Sequence, residues 1–365
     1  MISHIEIEGF KSIKKLSLEL RPINILIGSN GVGKSNFVSF FKLTNALFNQ
    51  RLQRYVAEEK VDNILYFGRK HTEFLFGRLD FKQGTNSYVF CLNRANDGDL
   101  FVALEGFGKN VSLKPQLGNY KYGVGLSESI ISNNDSRELN VAGLFSKVKI
   151  YHFHDTSPTS FLRRECDLED NLYFKQDGRN LPAFLYFLKV KHLKIYERIV
   201  KMVQSVAPYI DSFILEPSRL NEREIALRWV DSGDLESSFS AYQLSDGTLR
   251  FIALTTLLMQ PAPPSVIIID EPELGLHPFA IGKLAGMIQG VSEKAQVIVA
   301  TQSPGLLSHF EPEDVIVMDR SEEEKQTVFK RLDSHELADW LNDYSLGDLW
   351  ERNILNAAQP FPQVQ

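Results

Sequence analysis

The sequence predicts an α/β protein with a mainly parallel core sheet, an N-terminal antiparallel β subdomain and a short helical insertion. Three observations predict it. Short runs of alternating apolar and polar residues fill much of the first third of the chain, as in antiparallel strands. Continuous apolar runs then alternate with segments of helical periodicity, which is typical of buried parallel strands joined by helices. Between these two patterns lies a long segment of helical periodicity, residues 180–207.

Composition and charge describe an ordinary globular chain. The 365 residues are 43% apolar and 24% charged, and the formal net charge of -6 argues against a protein that coats nucleic acid through bulk charge. Only two cysteines occur, Cys91 and Cys166, which argues against a disulfide scaffold and favours a reducing compartment. The first residues lack the layout of a signal peptide, and the longest apolar runs fall short of the roughly 20 residues that span a bilayer. We therefore expect a cytoplasmic protein without a membrane partner.

The N-terminal elements follow from short periodic patterns. Residues 4–10 and 15–20 alternate apolar and polar side chains, which predicts two short strands. Residues 23–28 form an apolar run that predicts a buried strand, and helical spacing predicts a helix from about Ser35. Aromatic and polar residues alternate around turn signals over residues 74–105, which predicts an antiparallel β-meander.

The middle of the chain mixes weak and strong signals. Residues 108–140 are rich in Gly, Asn and Ser, so we expect loop with short strands. The run "VKIYHF" (148–153) predicts a buried strand, residues 180–207 predict one long helix, and residues 210–217 and 224–230 predict strands. The long helix has a basic face, which either is solvated or contacts nucleic-acid phosphates. Its cations are Lys189, Lys191, Lys194, Arg198 and Lys201.

The last third of the chain repeats the pattern of buried strand and helix. A loop feeds a predicted helix over 243–258, and the run 265–270 predicts a buried strand that ends in acids. A helix over 279–292 and strands over 295–304 and 314–320 complete the predicted sheet.

The stretch "LIGSNGVGKSNF" has the spacing of a phosphate-binding loop, Gly28-x-x-x-x-Gly33-Lys34-Ser35, between an apolar strand and a helix. Glycines let backbone N–H groups wrap a phosphate in conformations that side chains would block. Lys34 supplies a positive charge for the β- and γ-phosphates, and the Ser35 hydroxyl can ligate Mg²⁺. The dipole at the start of the following helix also favours an anion.

Acidic residues follow the apolar run of "VIIIDEPELGLHP". Asp270 comes at the carboxyl end of the predicted strand, where open α/β sheets place their ligands. Asp270 can hold Mg²⁺ through water, and Glu271 is then placed to polarise an attacking water. Glu273 is a weaker candidate for that role.

The stretch "LSDGT" (244–248) forms the loop that feeds the predicted helix within 243–258. Ser245 and Gly247 offer a hydroxyl and backbone N–H groups at a helix N-terminus, which is an arrangement that binds phosphate. By itself the same pattern is also an ordinary helix cap.

Together, "GSNGVGKS", "LSDGT", "IIIDEPELGLHP" and "VIVATQSP" resemble the ATPase heads of the ABC superfamily. The resemblance is to the branch of SMC, RecF and OLD-type proteins, known as AAA family ATPases. The opening "IEIEGFKSI" resembles that branch rather than membrane transporters. The resemblance implies an ABC-type P-loop ATPase head over residues 1–355, followed by a tail, 356–365. Within the head we expect an N-lobe (1–160), a helical insertion with strands (161–243) and a C-lobe (244–355).

The resemblance assigns roles to single residues. It implies ATP and Mg²⁺ as ligands, with Ser35 and Asp270 holding the metal and with Glu271, Lys34 and Gln302 acting in catalysis. Ser245 and Gly247 would meet the ATP of a second copy, and the segment 274–277 would cross the interface of that homodimer, with a higher oligomer left open. Lys11 and Ser12 would lie near the nucleotide. The resemblance places ATP on these residues: Gly28, Ser29, Asn30, Gly31, Val32, Gly33, Lys34, Ser35, Asn36, Ser245 and Gly247.

Two positions depart from the pattern of the family. Gln302 stands where a His is usual in the family, so it can hydrogen-bond to a phosphate but cannot carry charge, and we expect slow hydrolysis as a consequence. No Gln marks the lid loop after 148–153, where His154 and Asp155 are the nearest polar candidates. His152 and His154 point the same way along a strand, but no third ligand stands nearby, so we expect a polar strand end rather than a metal site.

The resulting functional prediction is an ATP-hydrolysing dimeric switch, in antiphage defence with a separate effector protein that is a nuclease or toxin. The alternatives are a DNA repair or recombination ATPase of RecF type, with DNA as a partner, and a nucleotide-gated scaffold with little turnover. A transporter subunit is disfavoured by the "FKSI" opening and by the continuation "DEPELGLHP".

Overall fold

The fold is that of a computed structural model, which describes residues 1–81, 86–95, 99–108, 125–129 and 147–357. Most of the predicted loop over 108–140, and the last eight residues, therefore lie outside the described residues.

The predicted N-terminal antiparallel subdomain is confirmed as a five-stranded sheet in the order β2-β1-β4-β5-β6. Inward residues of its first strand, such as Ile5 and Ile7, are buried, as the alternation predicts. The chain leaves this sheet after its second strand and returns for the meander of the last three. Its strands are β1 (Ile2–Phe10), β2 (Ile13–Glu19), β4 (Phe74–Phe81), β5 (Asn86–Arg94) and β6 (Leu100–Gly108).

The predicted core sheet is confirmed as a six-stranded sheet in the order β16-β15-β3-β14-β13-β7. All neighbouring pairs are parallel except β15 with β16, which is antiparallel. Its strands are β3 (Ile23–Ile27), β7 (Val148–Tyr151), β13 (Val266–Asp270), β14 (Gln296–Thr301), β15 (Val315–Ser321) and β16 (Gln326–Arg331).

Both faces of this sheet are buried, which explains why its strands are apolar runs rather than alternating ones. Ile25 and Ile27 pack into one hydrophobic cluster, formed with the C-terminal helices, whereas Leu26 packs into the other, formed with the N-terminal sheet. Because β3, β13 and β14 are parallel, their carboxyl ends meet at one edge. The loops that leave this edge carry the phosphate-binding pattern, the acids and Gln302.

The helices lie in three groups along the chain. Those after β3 are α1 (Lys34–Phe48), α2 (Leu52–Glu59) and α3 (Val61–Ile64). The insertion contributes α4 (Leu181–Lys191) and α5 (Leu193–Val206). The C-terminal group is α6 (Asp246–Met259), α7 (Pro278–Ser292), α8 (Pro304–Leu307), α9 (Ala338–Leu341) and α10 (Leu346–Glu351).

The single helix predicted over 180–207 is two helices, which corrects the prediction. His192 separates them with φ -136° and ψ 50°, outside the helical region. Its ring contacts Phe187, with the two centroids 5.5 Å apart. Apolar spacing continues across the break, so the periodicity could not reveal it.

Two smaller sheets complete the insertion. One has the order β12-β11-β9, from β9 (Ile210–Ile214), β11 (Arg228–Asp231) and β12 (Asp234–Ser240), and the other pairs β8 (Cys166–Asp167) with β10 (Glu224–Ile225). The sequence did not predict β12 because most of its residues are exposed and polar. Among the helices of the described residues, none is long and apolar enough to cross a membrane. Cys91 and Cys166 are free thiols.

Candidate functional site

The loop between β3 and α1 takes a conformation that requires glycine. Gly31 and Gly33 have φ of 82° and 114°, in the region that side chains rarely adopt. A Cβ on Gly33 would also lie 2.6 Å from Ser12 Oγ and 2.5 Å from Thr327 Oγ1. At Gly31 there is open space, with nothing within 4 Å of such a Cβ. The loop thus combines a tightly packed base with an open rim.

Side chains from distant parts of the chain hold this loop. Asn36 Nδ2 donates to Ser12 Oγ at 2.8 Å, and Thr327 Oγ1 lies 2.7 Å from both Ser12 Oγ and the carbonyl of Val32. Ser12, which the resemblance placed near the nucleotide, therefore lies at the base of the loop. Thr327 was missed, because it lies on β16 in a segment without a motif.

Lys34 is buried at the start of α1, and its Nζ donates to the carbonyls of Gly28 and Ser29, the latter at 3.0 Å. Burial lowers the pKa of Lys34, while the charges of Glu271, Asp270 and Glu273 act in the opposite direction. The ammonium therefore lies within electrostatic range of the acids after β13, and a buried cation of this kind favours an anionic ligand.

The acids after β13 have separate surroundings. Asp270 is the last residue of the strand, and burial raises the pKa of its carboxyl. Glu271 has φ 42°, and its N–H donates to the carbonyl of Ala300 at 2.7 Å. Glu273 accepts a hydrogen bond from the Thr301 hydroxyl, and burial raises its pKa. Glu271 is linked to the phosphate-binding loop through Gln302.

Gln302 joins the loop to this acid. Its Nε2 donates to Asn30 Oδ1 at 2.7 Å and to Glu271 Oε1 at 2.8 Å. Three residues that the sequence placed in one site are therefore in direct contact, although they come from the ends of three different strands.

The segment after β7 also reaches the acids. His154 Nε2 lies 2.7 Å from the carbonyl oxygen of Asp270. Asp155 instead accepts from the N–H of Ser157 at 3.0 Å, and hydrogen bonds from the Ser157 side chain and backbone lower the pKa of Asp155. Of the two lid candidates, His154 lies at the site.

The expectation that no third ligand accompanies His152 and His154 was wrong. One ligand atom from each of His152, His154 and Asp270 lies within 4.8 Å of the others. The parallel pairing of Ile269 with Tyr151 brings the end of β13 beside the end of β7, which spacing in the sequence does not reveal. Burial, with smaller effects from Lys42 and His154, lowers the pKa of His152 to about 4.

Ser245 and Gly247 lie at the start of α6. The Ser245 hydroxyl accepts from the N–H of Thr248 at 3.2 Å, which caps the helix, and the residue is exposed. A Cβ on Gly247 would lie 2.4 Å from the carbonyl of Gly275, so this turn packs on the segment after the acids. Among the described residues, no hydrogen bond joins Ser245 to the loop of residues 28–33.

Two buried arginines that sequence reasoning missed connect α6 to the segment after β7. Arg250 donates to the carbonyl of Phe153 at 2.8 Å and to that of His154 at 3.0 Å. Arg163 donates to Asp246 Oδ1 at 2.6 Å and to the carbonyl of Thr156 at 2.8 Å. An arginine within the apolar run "RFIALTTLL" was a signal for a buried cation with fixed partners.

Solved structures share this architecture over nearly their whole length. An SMC head bound to the C-winged helix domain of ScpA is 15% identical, with a TM-score of 0.61, and the match covers 92% of this chain and 98% of that one. The Smc head of Pyrococcus furiosus with an extended coiled coil, bound to the C-terminal domain of ScpA, is 14% identical, with a TM-score of 0.59 over 94% and 98% of the two chains. This chain has the fold of an ABC/SMC-type ATPase head.

Two family models match parts of the head. The one described as "AAA domain, putative AbiEii toxin, Type IV TA system" matches residues 154–308, and the one described as "AAA ATPase domain" matches residues 1–93. No curated protein matches the sequence. The two models include the phosphate-binding loop and the acids, which supports a nucleotide-dependent ATPase.

The residues of the head fit a nucleotide with Mg²⁺. The Ser35 hydroxyl and the Asp270 carboxylate are hard oxygen donors, the ligand type that Mg²⁺ prefers. The rim of the loop at Gly31 is open, and Lys34 offers a buried positive charge next to it. Both features suit a phosphate group.

Proposed function

We propose that this head binds and hydrolyses ATP and acts as a nucleotide-controlled dimeric switch. The observation that carries the proposal is the contact of Gln302 with Asn30 and Glu271. It links the phosphate-binding loop to the acid, so that a change at the phosphate reaches both groups. ATP would then control the chain, and its hydrolysis would reset it.

Each residue of the site has a distinct task in this proposal. The loop N–H groups and Lys34 hold the β- and γ-phosphates, and Glu271 accepts a proton from the attacking water. Ser35 and Asp270 would hold Mg²⁺, which neutralises phosphate charge when bound. Gln302 orients the water or the γ-phosphate. Since an amide carries no charge, we expect turnover to be slow.

A cavity next to the loop is the proposed place of the nucleoside. It has a volume of about 400 Å³, and its walls include Ser12 and Asn36 from the loop region and Tyr66 and Phe67 beyond α3. Phe67 is 52% exposed, which leaves an aromatic face available for stacking on a base. Lys11 also lines this cavity, and its Nζ forms an ion pair with Glu59 Oε2 at 3.1 Å.

The partner in the proposed dimer is a second copy of this chain. Ser245 is exposed at the start of α6, where its hydroxyl and the helix N-terminus can meet a γ-phosphate bound by the other copy. The segment 274–277 lies beside it, and Leu274 and Phe279 are 49% and 54% exposed. Exposed apolar side chains next to a phosphate-binding turn support an interface there.

We further propose that the switch acts in antiphage defence with a separate effector, a nuclease or toxin. The description of the family model over residues 154–308 names a Type IV TA system, which supports a role in a system of several components. DNA remains a candidate partner through exposed cations at the end of α4 (Lys191) and on α5 (Lys194 and Arg198).

ATP turnover in a matched pair of variants tests the proposal. Glu271→Gln is expected to lower kcat by roughly 10²- to 10⁴-fold with ATP binding retained, because the amide cannot accept the proton. Glu273→Gln is the control, since Glu273 contacts Thr301 instead. Equal loss in both variants would reject Glu271 as the base. Adding DNA to the same assay shows whether DNA stimulates turnover.

A second candidate function is a nucleotide-gated scaffold with little turnover. It is favoured by the bond from Gln302 to Glu271 Oε1, which occupies one oxygen of the proposed base. For this function, wild type and Glu271→Gln bind ATP equally well and hydrolyse it equally slowly. The two functions therefore give opposite results in one experiment.

A further inference from the structure

His152, His154 and Asp270 come together where β7 and β13 end side by side. One ligand atom from each residue lies within 4.8 Å of the others, close enough for small side-chain rotations to bring all three onto one ion. The two imidazole rings have centroids 6.3 Å apart and planes at 63°. We propose that these three residues form a binding site for a divalent transition-metal ion, in addition to the Mg²⁺ that accompanies ATP.

His152 provides an independent sign of a missing ligand. Its Nε2 is buried and has no hydrogen-bond partner among the described residues. A buried polar atom without a partner is destabilising, so such atoms are rare without a reason. A metal ion bound to this nitrogen would remove the cost.

His154 is already oriented for such a role. Its Nε2 lies 2.7 Å from the carbonyl oxygen of Asp270, a contact with the backbone that fixes the plane of the ring. Imidazole ligands in proteins are commonly held by a bond of this kind. The residue that supplies this carbonyl also supplies the carboxylate of the site.

The donor set determines the class of ion. Two imidazoles and one carboxylate favour the later first-row divalent ions, such as Co²⁺ and Zn²⁺, whereas Mg²⁺ prefers oxygen ligands and keeps its waters. Three protein ligands leave positions for water or a phosphate oxygen. Lys42 lies near enough to lower the pKa of His152, and its positive charge will weaken the affinity for any cation. We therefore expect reversible rather than structural binding.

Titration of the full-length, nucleotide-free chain with Co²⁺ tests the site, since imidazole ligation gives Co²⁺ visible absorption bands. We expect one Co²⁺ per chain, displaced by Zn²⁺ but not by a large excess of Mg²⁺. His154→Gln and His152→Gln are each expected to weaken binding by roughly tenfold or more. His71→Gln, at an exposed histidine in the segment between α3 and β4, is the control and should bind as wild type does.

Unchanged Co²⁺ binding in His154→Gln, or displacement by Mg²⁺ at equal concentration, would overturn the proposal. His154 is exposed, so its variant tests the site even where the change at His152 impairs folding. Lys34→Ala separates this inference from the proposed function. That variant should lose ATP binding but keep the absorption bands of bound Co²⁺. Either proposal can therefore fail without the other.

Discussion

Glu271 takes a backbone conformation that side chains avoid, with φ 42°. Its N–H donates to Ala300 at 2.7 Å, which holds it there. A left-handed conformation costs a residue with a Cβ about 1 kcal/mol or more, and strain of this kind often lies at functional sites. The surrounding structure therefore holds the Glu271 backbone in a conformation that this residue would not favour by itself.

Glu271→Gly should increase the free energy of unfolding by about 1 kcal/mol relative to Glu271→Ala, because glycine adopts this φ without strain. Both variants lack the carboxylate and should be inactive, so only the backbone differs between them. Denaturant unfolding of the two measures the difference. Equal stability would mean that the strain has no energetic weight.

Gln302→His should raise kcat by about tenfold, because an imidazole can carry a proton and a positive charge beside the phosphate. Gln302→Ala removes the bond to Glu271 without adding charge, so it separates the two effects. Steady-state phosphate release is the measurement. If both variants behave alike, the neutral amide is not what limits turnover.

At the residue scale, the sequence predicted those groups that share a local motif. Lys34 and Glu271 are each marked by their neighbours in sequence, and Gln302 by its place after an apolar strand. Thr327, Arg163 and Arg250 carry no such mark, because their partners lie far away in the chain. For the same reason the sequence did not reveal that Asp270 lies near His152, since the two residues are far apart in the chain.

The start of α6 and the segment after the acids are packed too closely for any side chain between them. A Cβ on Gly247 would meet the carbonyl of Gly275 at 2.4 Å, and neither backbone can rotate away as a side chain would. The two elements are expected to move together, so a displacement of the acids would also displace Ser245.

Gly247→Ala should lower the free energy of unfolding by about 1–3 kcal/mol, the usual cost of overpacking. Gly286→Ala is the matched control within α7, where a Cβ meets nothing within 4 Å, and it should raise stability by about 0.5–1 kcal/mol. Thermal or denaturant unfolding measures both. A neutral result at Gly247 would show that the two segments are not rigidly packed.

At the element scale, periodicity predicted the core strands well, since burial on both faces gives them an unmistakable apolar run. It failed where tertiary contacts decide. His192 ends α4 inside a continuing apolar pattern, and β12 pairs through its backbone with polar side chains outward. The spacing of apolar residues predicts neither the break at His192 nor the strand β12.

For the whole molecule, we predict a dimer that depends on ATP. Glu271→Gln, which should bind but not hydrolyse ATP, is expected to elute as a dimer with ATP and as a monomer without it. Ser245→Arg should abolish this dimer while the single chain still binds ATP, because the exposed turn meets the other copy. Light scattering after size exclusion measures the mass. A dimer that persists without ATP would contradict the switch.

The contacts that Thr327 makes with the phosphate-binding loop region have a consequence for synthesis of the chain. Thr327, which contacts both Ser12 and Val32, comes from β16 and follows Ser12 by 315 residues. During synthesis the loop therefore cannot gain these contacts until β16 has left the ribosome. A ligand that binds only the folded loop can stabilise the chain only after that point.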